Sequence, residues 1–171
     1  KPTQQLALDA LPATQCSHTA TGNVYTFGDN SDGQCGQGST VKTLYKPTIV
    51  EELIDYHVKQ VACGVYHTLF LSIDSSLERL YESNAIHADK VSFSIYLELT
   101  QDEYGQLGYS SDKATVYQPT IIKALLPVRV VLVRVGEYHS AVLTETGDIL
   151  TFGLNNSGQL GAENTPSSHI P

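Results

Sequence analysis

The chain has 171 residues, which is enough for one domain with a sizeable core. Its 10 Lys and Arg against 18 Asp and Glu give a formal net charge of −8, and no basic run is present, so we expect no direct binding to nucleic acid. No apolar stretch approaches the roughly 20 residues that a spanning helix needs and no signal peptide is recognisable, so we expect no membrane span and an intracellular location, cytoplasmic or nuclear.

The first unit of the chain, about residues 1–50, contains short β-type runs separated by turns. The run "NVYTFG" begins after Gly22-Asn23, a pair that is typical of a tight hairpin. It leads into "TFGDNSDGQCG" at 26–36, which is rich in turn residues, and then into "YKPTIV", whose proline suits the start of an edge strand. The next stretch, "VEELIDYHV" at 50–58, fits a single helical turn.

The second unit, about residues 58–122, has an irregular middle. "VKQVACG" and "HTLFLS" predict two adjacent strands, but the stretch after them can be threaded in two ways. We favour "ERLYES" at 78–83 as the third strand with an insertion after it, because "RLY" follows "DSS" much as "ILT" follows "TGD" in the third unit. In the alternative, "SIYLELT" is the third strand and the insertion, 75–93, precedes it. Both readings expect "NAIHADKVSFS" at 84–94 to project from the rim.

The third unit, about residues 130–171, is the most regular. "VRVVLVRV" at 128–135 predicts an inner strand, and "HSAVLT" and "DILTFG" predict a hairpin joined at Gly147-Asp148. "TFGLNNSGQLG" then repeats the turn of the first unit. The chain stops at Pro171, just before the fourth strand that we expect.

A Gly-Gln turn occurs once in each unit. A unique catalytic site has no need to appear three times, so the recurrence favours a structural role. The glycines that we assign to these turns are Gly33, Gly36, Gly105, Gly108, Gly158 and Gly161.

The three cysteines give no sign of a reactive site. Cys35 of the first turn is replaced by Leu107 and Leu160 in the other two, so we expect a small buried residue. Together with Cys16 and Cys63 it shows no paired spacing, which predicts free thiols in a reducing compartment and leaves a Cys16–Cys35 pair open.

Four short strands in about 50 residues, repeated along the chain, are typical of a β-propeller blade. "GVYHTLFLS" and "GEYHSAVLTETGDILTFGLNNSGQLG", with the prolines of the repeat, resemble the regulator of chromosome condensation repeat. The resemblance covers roughly three-quarters of the chain. It departs in the middle of the second unit and in having Phe27 and Phe152 where the family has Trp.

That resemblance implies an all-β fold made of β-propeller blades of four antiparallel strands. Rings of this family usually have seven blades, so three units predict a partial or incomplete propeller with two open flanks. It also implies that the turn glycines adopt positive φ angles, and that an Asn or Asp before each Gly-Gln pair bonds the local backbone.

The recurring histidines, His67 and His139, have two interpretations. The resemblance implies that they sit within their blades, bonded to neighbouring backbone. Catalysis or metal binding is the alternative, which we do not favour because no Cys or carboxylate recurs beside them at ligand spacing. The sequence contains no hydrolase triad and no G-x-x-x-x-G-K-[ST] phosphate loop. We therefore assign no catalytic, metal-binding or cofactor-binding residue.

The insertion in the second unit is where we expect partner binding. It is either a tolerated surface loop or extra hairpin, or a partner-contacting element, since binding residues concentrate on loops held by a rigid scaffold. In the resembling family, the exchange factor for the small GTPase Ran uses a projecting wedge of this general kind, but its residues have no match here. The candidate partner-binding residues are Tyr81, Ile86, His87, Asp89, Lys90 and Phe93.

Three functions of different class fit these observations. We favour a non-enzymatic protein–protein interaction scaffold. The alternatives are a guanine-nucleotide exchange factor or regulator of a small GTPase, and a substrate-recruiting domain of a larger ubiquitin ligase. Fold alone does not decide among them. The expected partners are other proteins, with a small GTPase among the candidates.

Overall fold

The computed structural model describes residues 5–7, 14–31, 33–38, 41–72, 93–98, 105, 108, 119–163, 167–168 and 171. These residues form three four-stranded sheets, and in each sheet the strands lie side by side in chain order. All pairings are antiparallel, as expected for successive hairpins. The prediction of an all-β fold of four-stranded antiparallel blades is confirmed.

Blade 1 contains β1 (Gln5–Ala7), β2 (Thr14–His18), β3 (Val24–Asp29) and β4 (Thr43–Ile49). Blade 2 contains β5 (Val58–Cys63), β6 (His67–Ser72), β7 (Phe93–Glu98) and β8 (Thr120–Ile121). Blade 3 contains β9 (Val130–Val135), β10 (His139–Thr144), β11 (Ile149–Leu154) and β12 (Ser167–Ser168).

Two short 3₁₀ turns carry the chain from one blade to the next. Glu51–Leu53 joins blade 1 to blade 2, within the stretch where a single helical turn is predicted. Lys123–Leu125 occupies the same place before blade 3. Among the described residues these turns are the only helices, and neither is long and apolar enough to cross a membrane.

The third strand of blade 2 corrects the favoured threading of the insertion. β7 pairs with β6 from Phe93 opposite Ser72 to Glu98 opposite His67, so the alternative is right and the insertion precedes this strand. Phe93 and Ser94 therefore belong to the sheet and not to a projecting loop. Residues 78–83, which we favoured as the third strand, lie outside the described residues.

The fourth strand of blade 3 also departs from expectation. Ser167 and Ser168 pair with Leu154 and Gly153, so this strand begins before Pro171. The prediction places this strand later because it matches Pro171 to Pro47. Pro47 lies in the second half of β4, which already begins at Thr43.

The core consists of two apolar clusters, each at a boundary between blades. The first joins blades 1 and 2 and consists of Cys16, Val24, Val50, Leu53, Val58, Val61, Cys63 and Phe70. The second joins blades 2 and 3 and consists of Ala62, Leu69, Leu71, Ile122, Leu125, Val130, Val133, Val142 and Phe152. Each 3₁₀ turn contributes one buried leucine to its cluster, Leu53 or Leu125. Burial of apolar surface between sheets therefore holds adjacent blades together.

Candidate functional site

The Gly-Gln turns of blades 1 and 3 are closed by the same side chain in the same way. The Oδ1 atom of Asn30 accepts a hydrogen bond from the Cys35 N–H at 2.9 Å, and that of Asn155 accepts from the Leu160 N–H at 2.9 Å. The side-chain amide of Asn155 also donates to the Ala162 carbonyl at 2.7 Å. Each asparagine thus satisfies backbone groups that would otherwise be buried without a partner.

The glycines of the three turns have φ angles between 68° and 78°. Side chains of L-residues rarely adopt this left-handed region. In each turn the N–H of the second glycine donates to the carbonyl of the first, for example Gly161 to Gly158 at 3.0 Å. These φ angles and hydrogen bonds give a backbone reason for a glycine at each of these positions.

Cys35 lies within the first of these turns and is fully buried. Burial raises the pKa of its thiol to about 12, so the thiol stays neutral at physiological pH. Its Sγ donates to the Asp29 carbonyl at 3.3 Å. The expectation of a small buried residue matches these contacts.

The other two cysteines depart from the expectation of free thiols. Cys16 of β2 and Cys63 of β5 form a disulfide between blades 1 and 2, with Cα atoms 6.4 Å apart. The Cys16–Cys35 pairing that the sequence leaves open does not occur. Spacing in the sequence could not reveal the pair, because its members belong to different repeats and meet only when the blades pack.

The boundary between blades 2 and 3 contains a buried histidine–serine contact. The Nε2 atom of His67 lies 2.8 Å from the Ser140 Oγ. His67 is fully buried, and burial, with a smaller effect of the charge on His139, lowers its pKa to about 3. His67 is therefore neutral at pH 7. Its partner belongs to the neighbouring blade, so the expectation of a bond within its own blade is wrong.

Two further contacts cross this boundary. The rings of Tyr66 and Tyr138 stack with centroids 4.8 Å apart. The buried Oε1 of Gln60 accepts a hydrogen bond from the Val133 N–H at 3.0 Å. The boundary is thus an apolar cluster fixed by specific polar and aromatic contacts.

The boundary between blades 1 and 2 uses a hydroxyl at the equivalent position. Thr68 follows His67 as Ser140 follows His139, and its Oγ1 donates to the Gln34 carbonyl of blade 1 at 3.1 Å. At both boundaries a hydroxyl at this position faces the preceding blade. The recurring hydroxyl is visible in the sequence, since Ser or Thr follows "YH" in both copies. That it contacts the preceding blade could not be predicted without knowing which faces of the blades meet.

His139 has different surroundings from His67. It is only partly buried, and burial lowers its pKa. Successive side chains of a strand point to opposite faces, so His139 lies on the face of blade 3 that is turned away from blade 2. Among the described residues, no group of three or more His, Cys, Asp and Glu could hold a metal ion.

The predicted partner-binding residues fall in the least described part of the chain. Tyr81, Ile86, His87, Asp89 and Lys90 lie outside the described residues. Phe93 is the first residue of β7, paired with Ser72. The structure therefore moves Phe93 from the insertion to the start of β7 and leaves the other five assignments as predictions.

The comparison with protein families identifies the repeat. The model of the Regulator of chromosome condensation (RCC1) repeat matches residues 21–71 and 101–143, and a second model of the same repeat matches residues 130–159. These matches include both Tyr-His motifs and the first and second Gly-Gln turns, and they end at Gln159 within the third.

Curated relatives contain the same repeat within much longer chains. The human "Probable E3 ubiquitin-protein ligase HERC6" is 31% identical over 88% of this chain and 18% of its own length. The human "Probable E3 ubiquitin-protein ligase HERC3" is 34% identical over 83% of this chain and 12% of its own length. The dog "X-linked retinitis pigmentosa GTPase regulator" is 30% identical over 90% of this chain and 14% of its own length. The chain thus spans less than a fifth of each relative.

Solved structures agree on the fold. Human WBSCR16 is 24% identical, with a TM-score of 0.73 over 98% of this chain and 37% of that chain. Yeast RCC1 (Prp20), solved bound to Kap60, is 23% identical, with a TM-score of 0.68 over 98% of this chain and 34% of that chain. With these blades, turns and motif matches, the chain belongs to the Regulator of chromosome condensation (RCC1) repeat family.

Proposed function

We propose that this chain is a non-enzymatic interaction scaffold, a set of propeller blades that presents loops to other proteins. One observation carries the proposal: the recurring polar side chains bond to the backbone or to the next blade. Asn30, Asn155, His67 and Thr68 all have such partners. Their chemistry is used to hold the blades, which favours recognition over catalysis.

The relatives favour a more specific second function, recruitment of substrates to a ubiquitin ligase. Two of the relatives above are named as probable E3 ubiquitin-protein ligases, and they match at 31% and 34% identity. Since this chain covers only their repeat region, the role that suits it is binding of a protein that another domain modifies. Regulation of a small GTPase is the other alternative, supported by the relative named as a GTPase regulator.

The insertion is the place to test the scaffold. Residues 84–92 are replaced by a short Gly-Ser linker in the full-length protein, and partners are identified by quantitative affinity capture with both baits. The replacement stops at residue 92 because Phe93 begins β7 and pairs with Ser72. We expect the variant to lose a subset of partners while its melting temperature stays unchanged.

A pair of matched substitutions sharpens this test. Tyr81→Ala removes an aromatic side chain that we predict to be an interface anchor. Tyr45→Ala removes one that is 94% exposed on β4 of another blade. We expect Tyr81→Ala alone to weaken binding of the purified partner. Identical partner lists from the two baits, or a loss confined to Tyr45→Ala, would contradict the assignment of binding to the insertion.

The ligase alternative has its own readout. If the partner is a substrate, it becomes ubiquitin-conjugated in the presence of the full-length protein, and the linker variant abolishes that conjugation. A partner that binds but is never modified supports the scaffold without the ligase function.

A further inference from the structure

The Cys16–Cys63 disulfide lies at a position of the repeat that also occurs at the next boundary. Cys63 is the last residue of β5, and Val135 is the last residue of β9 in blade 3. Cys16 is the third residue of β2, and Leu69 is the third residue of β6 in blade 2. The boundary between blades 2 and 3 therefore has a leucine and a valine where the boundary between blades 1 and 2 has two cysteines.

The leucine and the valine show that this position does not require a covalent bond. Leu69 is buried in the apolar cluster between blades 2 and 3, and Val135 packs against that cluster. Cys16 and Cys63 belong to the corresponding cluster between blades 1 and 2, where two thiols would pack as small apolar groups. Apolar packing thus holds either boundary, and the disulfide adds a covalent constraint to one of them.

We propose that Cys16 and Cys63 are a redox modification site that locks blade 1 to blade 2. As thiols they leave the two blades joined by apolar packing and hydrogen bonds, so the boundary opens transiently. As a disulfide they tie β2 to β5 and limit that opening. This inference does not rest on the proposed scaffold function.

A low-molecular-weight disulfide, such as glutathione disulfide, is the oxidant for this site. The thiolate of one cysteine attacks a sulfur of glutathione disulfide, the bond between the two glutathione sulfurs breaks, and one glutathione thiolate leaves. The second cysteine thiolate then attacks the protein sulfur of this mixed disulfide and releases the second glutathione thiolate. The two cysteines thus lose two protons and two electrons, and one glutathione disulfide becomes two glutathione thiols.

Burial makes this exchange depend on movement of the blades. Cys16 is fully buried and Cys63 is 3% exposed, so glutathione disulfide cannot reach either sulfur while the boundary is closed. Thr68 pairs directly with Cys63, and its hydroxyl helps to close the same boundary by donating to the Gln34 carbonyl of blade 1 at 3.1 Å. The rate of oxidation therefore reports how often blades 1 and 2 separate.

Thiol trapping in the full-length protein tests the site directly. The protein is equilibrated in buffers of increasing glutathione disulfide relative to glutathione, quenched with acid and alkylated under denaturing conditions, and mass spectrometry gives the thiol fraction of each cysteine. We expect Cys16 and Cys63 to change together, in one transition, from thiols to a linked pair. Cys35 is the internal control, since it is buried and not bonded to another sulfur, and it should remain a thiol. A pair that stays linked, or stays reduced, at every ratio would overturn the proposal.

Hydrogen exchange measures the lock. In the wild-type protein we expect amides of β2 and β5 to exchange severalfold more slowly when the pair is oxidised, whereas amides of β10 in blade 3 exchange equally in both states. The double variant Cys16→Leu, Cys63→Val copies the residues of the next boundary, and its exchange should not depend on glutathione. Equal exchange of β2 in oxidised and reduced wild type would show that the disulfide locks nothing.

Two substitutions test whether opening of this boundary limits the oxidation. Thr68→Val removes the hydroxyl that bonds Gln34, so we expect disulfide formation in the reduced protein to become severalfold faster. Ser140→Ala removes the equivalent hydroxyl between blades 2 and 3 and should leave the rate unchanged. Equal rates in the two variants and wild type would contradict the dependence on blade separation. The glutathione titration uses the wild-type protein, so it decides the proposal even where a variant does not fold.

Discussion

At the scale of single residues, equivalent positions differ because their neighbours differ. His67 is fully buried and bonded across a boundary, whereas the His139 ring lies against Gly136 of its own turn. Phe152 is fully buried between blades 2 and 3, whereas Phe27 at the same place in blade 1 is partly exposed. Equivalent positions of the repeat therefore lie at the same place in their blades, but the burial of their side chains depends on the neighbouring residues.

We expect substitution of a turn glycine to destabilise the fold through backbone strain. A Cβ atom at Gly158 meets nothing within 4 Å, but the residue has a φ of +78°. We expect Gly158→Val to lower the free energy of unfolding by roughly 1–3 kcal/mol, measured by urea denaturation in dilute solution. Gly158→Asn is the matched control and should cost less, because Asn tolerates the left-handed region. Equal midpoints for Gly158→Val and wild type would contradict this prediction, which extends to Gly33→Val.

The buried His67 predicts that acid destabilises the fold. Its pKa falls from 6.5 to about 3 on folding, so between these values the unfolded chain binds a proton that the folded chain does not. The contribution of His67 to the free energy of unfolding should therefore be constant above about pH 6.5 and fall as pH decreases towards 3. His139, whose pKa is also lowered, contributes in the same direction.

Melting temperatures between pH 7 and pH 4 measure this effect. His67→Gln retains a polar group that can reach Ser140 but does not titrate, so we expect a shallower pH dependence. His57→Gln, at an exposed position, is the control and should leave the dependence unchanged. A wild-type slope in His67→Gln would contradict the assignment.

At the scale of elements, one amide joins two inner strands. Gln60 of β5 is the buried acceptor for the Val133 N–H of β9. Gln60→Leu leaves that donor without a partner, so we expect the free energy of unfolding to fall by roughly 1–3 kcal/mol. Gln159→Leu alters a partly exposed glutamine and should change it much less. A reversed order in urea denaturation would show that the strand-to-strand bond is unimportant.

Local patterns predict the elements, but not which of them meet. The hairpin signals at Gly22 and Gly147 and the recurring turns are enough to predict the blades, because each depends on residues close in sequence. The threading of β7 failed because "RLY" follows "DSS" much as "ILT" follows "TGD", a local match that favoured 78–83 over 93–98. The Cys16–Cys63 pair and the His67–Ser140 contact stayed hidden because they connect different repeats. For the candidate site, the sequence identifies the recurring residues but not their contacts, because those contacts are made with residues of neighbouring blades.

At the scale of the molecule, we expect the 171-residue chain to self-associate through the faces of blades 1 and 3 that are turned away from blade 2. Phe27 and His139 on these faces are partly exposed where their counterparts are buried. Open apolar faces and strand edges favour intermolecular contacts. We expect concentration-dependent oligomers or aggregates in sedimentation velocity. A sharp monomer boundary at all concentrations, with cooperative unfolding, would contradict this expectation.

The β6–β7 hairpin shows where this architecture can diversify. Leu71 and Ser94 pair in blade 2 although more than twenty residues of chain separate them, whereas Leu143 and Ile149 form the corresponding pair across a short turn in blade 3. Each doubling of loop length costs only about 0.6 kcal/mol, so natural selection can lengthen such a turn without disturbing the sheet beneath it. A duplicated blade can thus inherit its fold from its ancestor and evolve a new binding specificity through one hairpin.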